Sequence, residues 1–90
     1  MHSVDLLEEA IRAAGAIGYG VRQEWLDGAG GGDCEIRGRK YLFLDLSLSV
    51  HERLQLVLSV LRREDGVARL NLSGPLARLL QVRKPGDKAA

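Results

Sequence analysis

The stretch Tyr-Leu-Phe-Leu-Asp-Leu-Ser-Leu-Ser-Val-His-Glu, residues 41–52, decides how this chain folds. Its first half is rich in residues of high β propensity and predicts a strand over residues 41–46. In its second half, Ser49 and Glu52 have the spacing of a capping box. In that motif the serine hydroxyl accepts from the glutamate amide, and the glutamate carboxylate accepts from the serine amide. A strand therefore passes directly into a helix.

The helix that starts at the capping box is predicted to lie at the centre of the core. Its apolar stripe consists of Leu54, Leu56, Val57, Leu58, Val60 and Leu61. The remaining polar side is narrow, as expected for a helix that is covered by neighbours. Asp65-Gly66 predicts the end of this helix. After an extended stretch over residues 67–72, Ser73-Gly74-Pro75 predicts the start of a short helix that runs to Gln81.

Two further strands are predicted upstream of residue 41. Side chains alternate from Tyr19 to Leu26, which is typical of a strand with two different faces. Residues 27–33 include four glycines and predict a flexible loop, because glycine leaves the backbone too much freedom for a regular element. Residues 34–37 then predict a second strand, and the short connection Gly38-Arg39-Lys40 predicts a hairpin with the third.

An amphipathic helix is predicted over residues 4–14. Ser3 is placed at its N-cap, its apolar side chains recur at helical spacing, and Gly15 follows as the residue that closes its last turn. The chain is therefore predicted to be α+β: a three-stranded antiparallel meander with two main helices packed on one face, in the order α-β-β-β-α, plus a short C-terminal helix. We expect one domain over residues 1–82 and a flexible tail over residues 83–90.

The composition limits the classes of function. Thirteen basic residues against twelve acidic ones give a net charge of +1, so no strong field attracts a nucleic acid. Cys34 is the only cysteine, which excludes an intramolecular disulfide and fits a reducing compartment. The first residues lack the basic start of a signal peptide, and no apolar run approaches the ~20 residues that span a bilayer. We expect a cytoplasmic protein that binds neither membranes nor nucleic acids.

Three patterns suggest chemistry, and each lacks a required part. The glycine run of residues 28–32 precedes no helix and no Lys-Ser/Thr pair, so it does not satisfy a phosphate-binding motif. His51-Glu52 resembles the start of a zinc peptidase signature, but Gln55 stands where the second histidine is needed. Cys34 and His51 together are the residue types of a nucleophilic pair. They define the alternative function, a small thiol-dependent or degenerate hydrolase.

The order of a helix, three strands and a helix that carries Glu52-Arg53 resembles the core of the minimal zincin metallopeptidases over residues 4–63. In that family, Glu-Arg precedes a zinc-binding His-Glu-x-x-His. On this chain the spacing puts Leu58 and Arg62 at the ligand positions and Ser59 at the catalytic glutamate position. The resemblance implies a shortened relative without metal or peptidase activity. The chain is also similar to small bacterial proteins that share the pattern of residues 22–26, a glycine loop and residues 42–46.

The predicted function is that of a binding or assembly module without catalytic residues, metal or cofactor. The residues expected to share the sheet face that the helices leave open are Tyr19, Val21, Trp25, Ile36, Tyr41 and Phe43. The four aromatic members of this set, Tyr19, Trp25, Tyr41 and Phe43, are the interface candidates. An uncovered apolar face is an aggregation hazard, so we expect a homodimer or another protein partner, bound through this face or through an unpaired strand edge.

Overall fold

The described part of the chain contains three helices and three strands. A computed structural model describes residues 2–81, with α1 (Ser3–Ala16), β1 (Gly20–Glu24), β2 (Gly31–Ile36), β3 (Arg39–Asp45), α2 (Val50–Leu61), a 3-10 turn (Asp65–Arg69) and α3 (Gly74–Leu80). The predicted α+β class and element order are confirmed. The predicted tail, residues 83–90, lies outside the described residues. Within residues 2–81, every helix is too short or too polar to cross a bilayer.

The helices begin where their capping residues allow. The Ser49 hydroxyl accepts from the Glu52 amide at 3.1 Å and the Glu52 carboxylate accepts from the Ser49 amide at 3.1 Å, so the capping box is confirmed. In α1 the N-cap is His2 rather than Ser3, and the helix continues through Gly15 to Ala16. The turn expected at Gly15 is made instead at Gly18, whose φ of 108° favours glycine.

The sheet is mixed rather than an antiparallel meander. Its strand order is β1-β3-β2; β1 runs parallel to β3, and β2 runs antiparallel to β3. The predicted hairpin between β2 and β3 is confirmed, with Arg37-Gly38 as its turn and positive φ values of 53° and 80° at the two residues. The prediction that β1 and β2 are neighbours is wrong, because β3 lies between them.

The central position of β3 follows from its apolar side chains. Leu42 and Leu44 are fully buried, whereas five of the six residues of β2 are exposed. A central strand has both edges paired and is best covered, so the strand with the most apolar area occupies it. Burial of β3 outweighs the general tendency of consecutive strands to pair.

The core lies between the helices and the side of the sheet that carries Leu42 and Leu44. Its main helical members are Leu7, Ala10, Ala14, Leu54, Val57, Leu58, Leu61, Leu76 and Leu80. Glu9 of α1 also fixes the start of α3, because its carboxylate accepts from the Ser73 amide at 2.7 Å and from the Ser73 hydroxyl at 2.6 Å. Among residues 2–81, the helices thus cover one face of the sheet and leave the other face open.

Candidate interaction site

The strand register shows which side chains lie on the sheet face that points away from the helices, which we call the open face. Tyr41 and Phe43 alternate with the buried Leu42 and Leu44, so they lie on the open face. The residues that share this face are Gly20, Arg22 and Glu24 on β1, Gly32, Cys34 and Ile36 on β2, and Arg39 on β3. Val21 pairs with Leu42 and faces the helices, and the same alternation puts Trp25 on the helix side; both were expected on the open face.

Tyr41 and Phe43 form a stacked aromatic pair at the centre of the open face. Their ring centroids lie 6.2 Å apart at an interplanar angle of 24°, and the Arg39 guanidinium lies 5.8 Å from the Tyr41 centroid. Gly20 leaves room for the Tyr41 ring, since a Cβ atom at Gly20 would come within 3.0 Å of it. Ile36, opposite Arg39 in the hairpin, is 52% exposed. An apolar strip is therefore accessible on the open face.

Trp25 directly follows β1 and is 72% exposed, more than any other large apolar side chain of residues 2–81. The main chain on both sides of it is fixed. The Glu24 carbonyl accepts from the Leu46 amide at 2.8 Å, and the Leu26 amide donates to the Asp45 carboxylate at 3.1 Å. An exposed indole on a fixed backbone loses little conformational freedom when a partner covers it.

Residues 25–30, the crossover loop, join β1 to β2 by passing over the end of β3, where Asp45 holds them. One Asp45 oxygen accepts from the Leu26 amide at 3.1 Å, the Ser47 amide at 2.9 Å and the Ser47 hydroxyl at 2.7 Å. The other oxygen accepts from the amides of Gly28 at 2.9 Å and Gly30 at 3.1 Å. The predicted loop is confirmed for residues 27–30, where Asp45 anchors it, but the prediction is wrong for residues 31–33, which belong to β2.

Asp45 is fully buried, yet it is held in its charged form. Burial raises its pKa, but the hydrogen bonds from Ser47 and from the amides of Leu26 and Gly30 outweigh this effect and hold the pKa of Asp45 well below its ordinary range. Sequence reasoning missed this residue. The signal was a single acidic side chain in the apolar run of residues 42–46, which needs hydrogen-bond donors once its strand is buried.

Tyr19 lies in the core rather than on the open face. It is 6% exposed, and its hydroxyl donates to the Glu64 carboxylate at 3.0 Å. The Lys40 ammonium lies 3.2 Å from the same carboxylate, and Arg63 pairs with Asp33 at 3.0 Å. These five side chains line part of a cleft of about 230 Å³. Burial and, secondly, the hydrogen bond to Glu64 raise the pKa of Tyr19 to about 12.

Replacing Tyr19 with phenylalanine should lower the free energy of unfolding at neutral pH by about 1–2 kcal/mol, because Glu64 loses a donor. Since the folded protein raises the pKa of Tyr19 to about 12, the phenol stabilises the fold below about pH 10, and this stabilisation is lost as the pH rises through about 12. The variant should therefore lose less stability over that interval. Denaturant unfolding across this range of pH measures both effects.

The matched control for Tyr19→Phe is Tyr41→Phe. It removes a hydroxyl that makes no hydrogen bond within residues 2–81 and should leave the free energy of unfolding at neutral pH nearly unchanged. A Tyr19→Phe protein that matches the Tyr41→Phe protein in stability would contradict the assigned hydrogen bond.

The structure does not bring Cys34 and His51 together. Cys34 lines the cleft beside Arg63 and Glu64, which follow the C-terminal end of α2, whereas His51 lies in the first turn of that helix. The 12 residues of α2 separate the two ends by about 18 Å. The imidazole is therefore too distant to take a proton from the thiol.

The positions indicated by the zincin resemblance carry no metal-binding side chain. Leu58 is buried in the core, and Ser59 and Arg62 are exposed. Within residues 2–81, no group of three or more His, Cys, Asp and Glu side chains is arranged to hold a metal ion. The kinship with zincins stays a prediction.

The candidate interaction site therefore consists of Trp25 on the crossover loop, with Tyr41, Phe43 and Ile36 on the open face. Tyr19 is not accessible to a partner in the same way, since it is only 6% exposed. Comparison of the chain with protein-family models, curated proteins and solved structures finds no match.

Proposed function

We propose that this chain is a protein-binding module without catalytic activity, and that its first partner is a second copy of itself. The observation that carries the proposal is Trp25, which is 72% exposed on a backbone fixed by hydrogen bonds on both sides. Covering an indole of this exposure contributes about 3 kcal/mol at ~25 cal/mol per Å². Tryptophan is also among the residues that dominate the energy of protein interfaces.

The charged side chains of the cleft favour a structural role over catalysis. Lys40 is engaged by Glu64, and Arg63 is engaged by Asp33. Because each cation already faces a carboxylate, neither supplies an uncompensated charge for a substrate. The cleft ties the hairpin to the end of α2, and the exposed apolar area lies elsewhere.

A second copy is a suitable partner on grounds of charge. The net charge is +1, so two copies repel each other weakly at any ionic strength. Association of identical chains about a two-fold axis also uses the same exposed residue twice, which doubles the apolar area covered by one kind of contact.

The proposal is tested by the fluorescence of Trp25, which is the only tryptophan in the chain. We expect quenching by iodide to decrease as the protein concentration rises from the nanomolar to the high micromolar range, in parallel with an increase in mass measured by light scattering. A quenching constant and a mass that stay at monomer values over the whole range would contradict the proposal.

Replacing Trp25 with serine should leave the fold intact, because the side chain is mostly exposed, and should weaken association by at least about 100-fold, since each pair loses two indoles. The control is Leu79→Ser, which changes an apolar side chain that is 39% exposed on α3, a helix that packs mainly against α1 and α2. If the Trp25→Ser protein associates at the same concentration as the Leu79→Ser protein, Trp25 does not belong to the interaction site.

A further inference from the structure

Within residues 2–81, the strand next to Trp25 has one edge that pairs with no other strand. β1 is at one end of the strand order and pairs with β3 on one side. The Glu24 carbonyl bonds to the Leu46 amide, so Glu24 directs its backbone groups towards β3. Because residues of a parallel ladder alternate in this respect, Val21, Gln23 and Trp25 direct their N–H and C=O groups away from β3. A free edge of this kind is a template for another strand.

The opposite edge of the sheet is less suited to pairing with itself. β2 carries Asp33 and Glu35 on the same face, and Gly31 and Gly32 have φ values of 89° and 148°. When two β2 strands run antiparallel, registers centred on Asp33, on Cys34 or on Glu35 each set carboxylates opposite one another. Like charges in directly opposed positions are destabilising, so β1 is the favoured edge.

The charges of β1 favour one register for antiparallel pairing with a second copy, because only that register sets Arg22 and Glu24 of the two copies opposite each other. A two-fold axis perpendicular to the sheet keeps the helix sides together, so each residue opposes a residue of its own face. An axis through Arg22 would oppose two guanidinium groups, and an axis through Glu24 would oppose two carboxylates. An axis through Gln23 sets each Arg22 opposite Glu24 of the second copy.

The register centred on Gln23 also matches the backbone and the apolar side chains. The two Gln23 residues meet with their backbone groups directed at each other and exchange both hydrogen bonds. Trp25 then lies opposite Val21 of the second copy, on the helix side of the sheet. Val21 is half-buried against the core, so an aromatic and β-branched pair forms at the edge of each core.

We infer that two copies of this chain pair through β1 in the antiparallel register centred on Gln23, which joins their sheets into one sheet of six strands. This inference rests on the proposed function and specifies its interface. In the pair, the Trp25 side chain of each copy is covered by the other copy. The two open faces become continuous, with Tyr41 and Phe43 of each copy on the same side.

Charge exchange at two exposed residues tests the register. Arg22 and Glu24 have side chains that are 63% and 50% exposed, and their closest charged atoms within one copy are 3.9 Å apart, so single substitutions should leave the fold intact. Arg22→Glu and Glu24→Arg should each raise the dissociation constant about tenfold or more, because two opposite-charge pairs become like-charge pairs. The double variant Arg22→Glu with Glu24→Arg should recover the original value.

Mixing the two single variants is the decisive step. The Arg22→Glu and Glu24→Arg chains should prefer each other to themselves by about tenfold or more, since all their opposed charges are complementary in the mixed pair. One variant labelled at Cys34, which is exposed on β2, allows the mixed pair to be followed by sedimentation. Circular dichroism of each variant establishes that it is folded.

Arg39→Glu is the control for the mode of pairing. It makes the same charge change on the open face but lies on β3, away from the β1 edge. We expect it to change the dissociation constant by less than about twofold. A larger loss from Arg39→Glu than from Arg22→Glu would overturn the inference in favour of face-to-face association. If all variants associate equally, the register is wrong but self-association stands. If the unsubstituted protein is monomeric at every concentration, the proposed function itself is overturned.

Discussion

Replacing Asp45 with asparagine is expected to lower the melting temperature by about 10 °C or more. In the protein, both carboxylate oxygens accept hydrogen bonds, from three amides of the crossover loop and from Ser47. The asparagine side chain replaces one of these oxygens with an NH2 group, which cannot accept a hydrogen bond. The backbone N–H groups that face this position then lose their acceptor. A change of 1 kcal/mol shifts the melting temperature of so small a domain by about 4–8 °C.

The same substitution should change the response of the protein to acid. Hydrogen bonds hold the pKa of Asp45 well below its ordinary range, so the carboxylate stabilises the fold above about pH 4, and this contribution is lost as the pH falls further through the lowered pKa. The Asp45→Asn protein cannot lose it and should show a flatter decline of stability in acid. Thermal unfolding over a series of pH values measures both effects.

Asp27→Asn is the matched control, since it makes the same chemical change in the same loop. Asp27 is exposed and has a φ of 52°, a conformation that asparagine adopts readily. The melting temperature of the Asp27→Asn protein should stay within about 2 °C of that of the unsubstituted protein. If Asp45→Asn were as mild as Asp27→Asn, Asp45 would not be the residue that holds the crossover loop.

Replacing Gly31 with alanine is the second change with a large expected effect, a loss of about 2–5 kcal/mol in the free energy of unfolding. A Cβ atom at Gly31 would overlap the backbone carbonyl of Phe43, which belongs to the central strand and cannot move aside. Its φ of 89° is also strained for any residue with a side chain. Urea unfolding should show the loss, or the variant should fail to fold.

Gly15→Ala is the opposite case and serves as the control. Gly15 lies within α1, and a Cβ atom there would meet nothing within 4 Å. Alanine favours helix over glycine by about 0.5–1 kcal/mol, so this variant should be more stable than the unsubstituted protein. A Gly31→Ala protein as stable as the unsubstituted one would contradict the close approach of β2 to β3.

The sequence allowed the elements with local signals to be predicted. The capping box at Ser49 and the start of α3 at Ser73 each depend on side chains within three residues, and both were predicted correctly. The hairpin between β2 and β3 was found for the same reason. The position of β1 was not, because it depends on how deeply the distant strand β3 is buried.

The parts of the site that sequence reasoning missed also depend on distant partners. Tyr19 was expected on the open face. Only the structure shows that it lies in the core, where its hydroxyl donates a hydrogen bond to the Glu64 carboxylate. The glycine loop was expected to be flexible. Its own sequence gives no sign of its anchor, because Asp45 lies at the end of another strand. Trp25 was named as an interface candidate, but its position beside a free edge could not be predicted, because it requires the strand order.

Amide exchange at Gln23, followed by NMR at low and at high protein concentration, tests the account most directly. The Gln23 amide points to the free edge of β1, so the account predicts rapid exchange in dilute solution and marked protection at concentrations where two copies associate. Val21 and Trp25 should follow the same pattern. Exchange at Gln23 that is equally fast at both concentrations, or protection gained in β2 instead, would contradict pairing through β1.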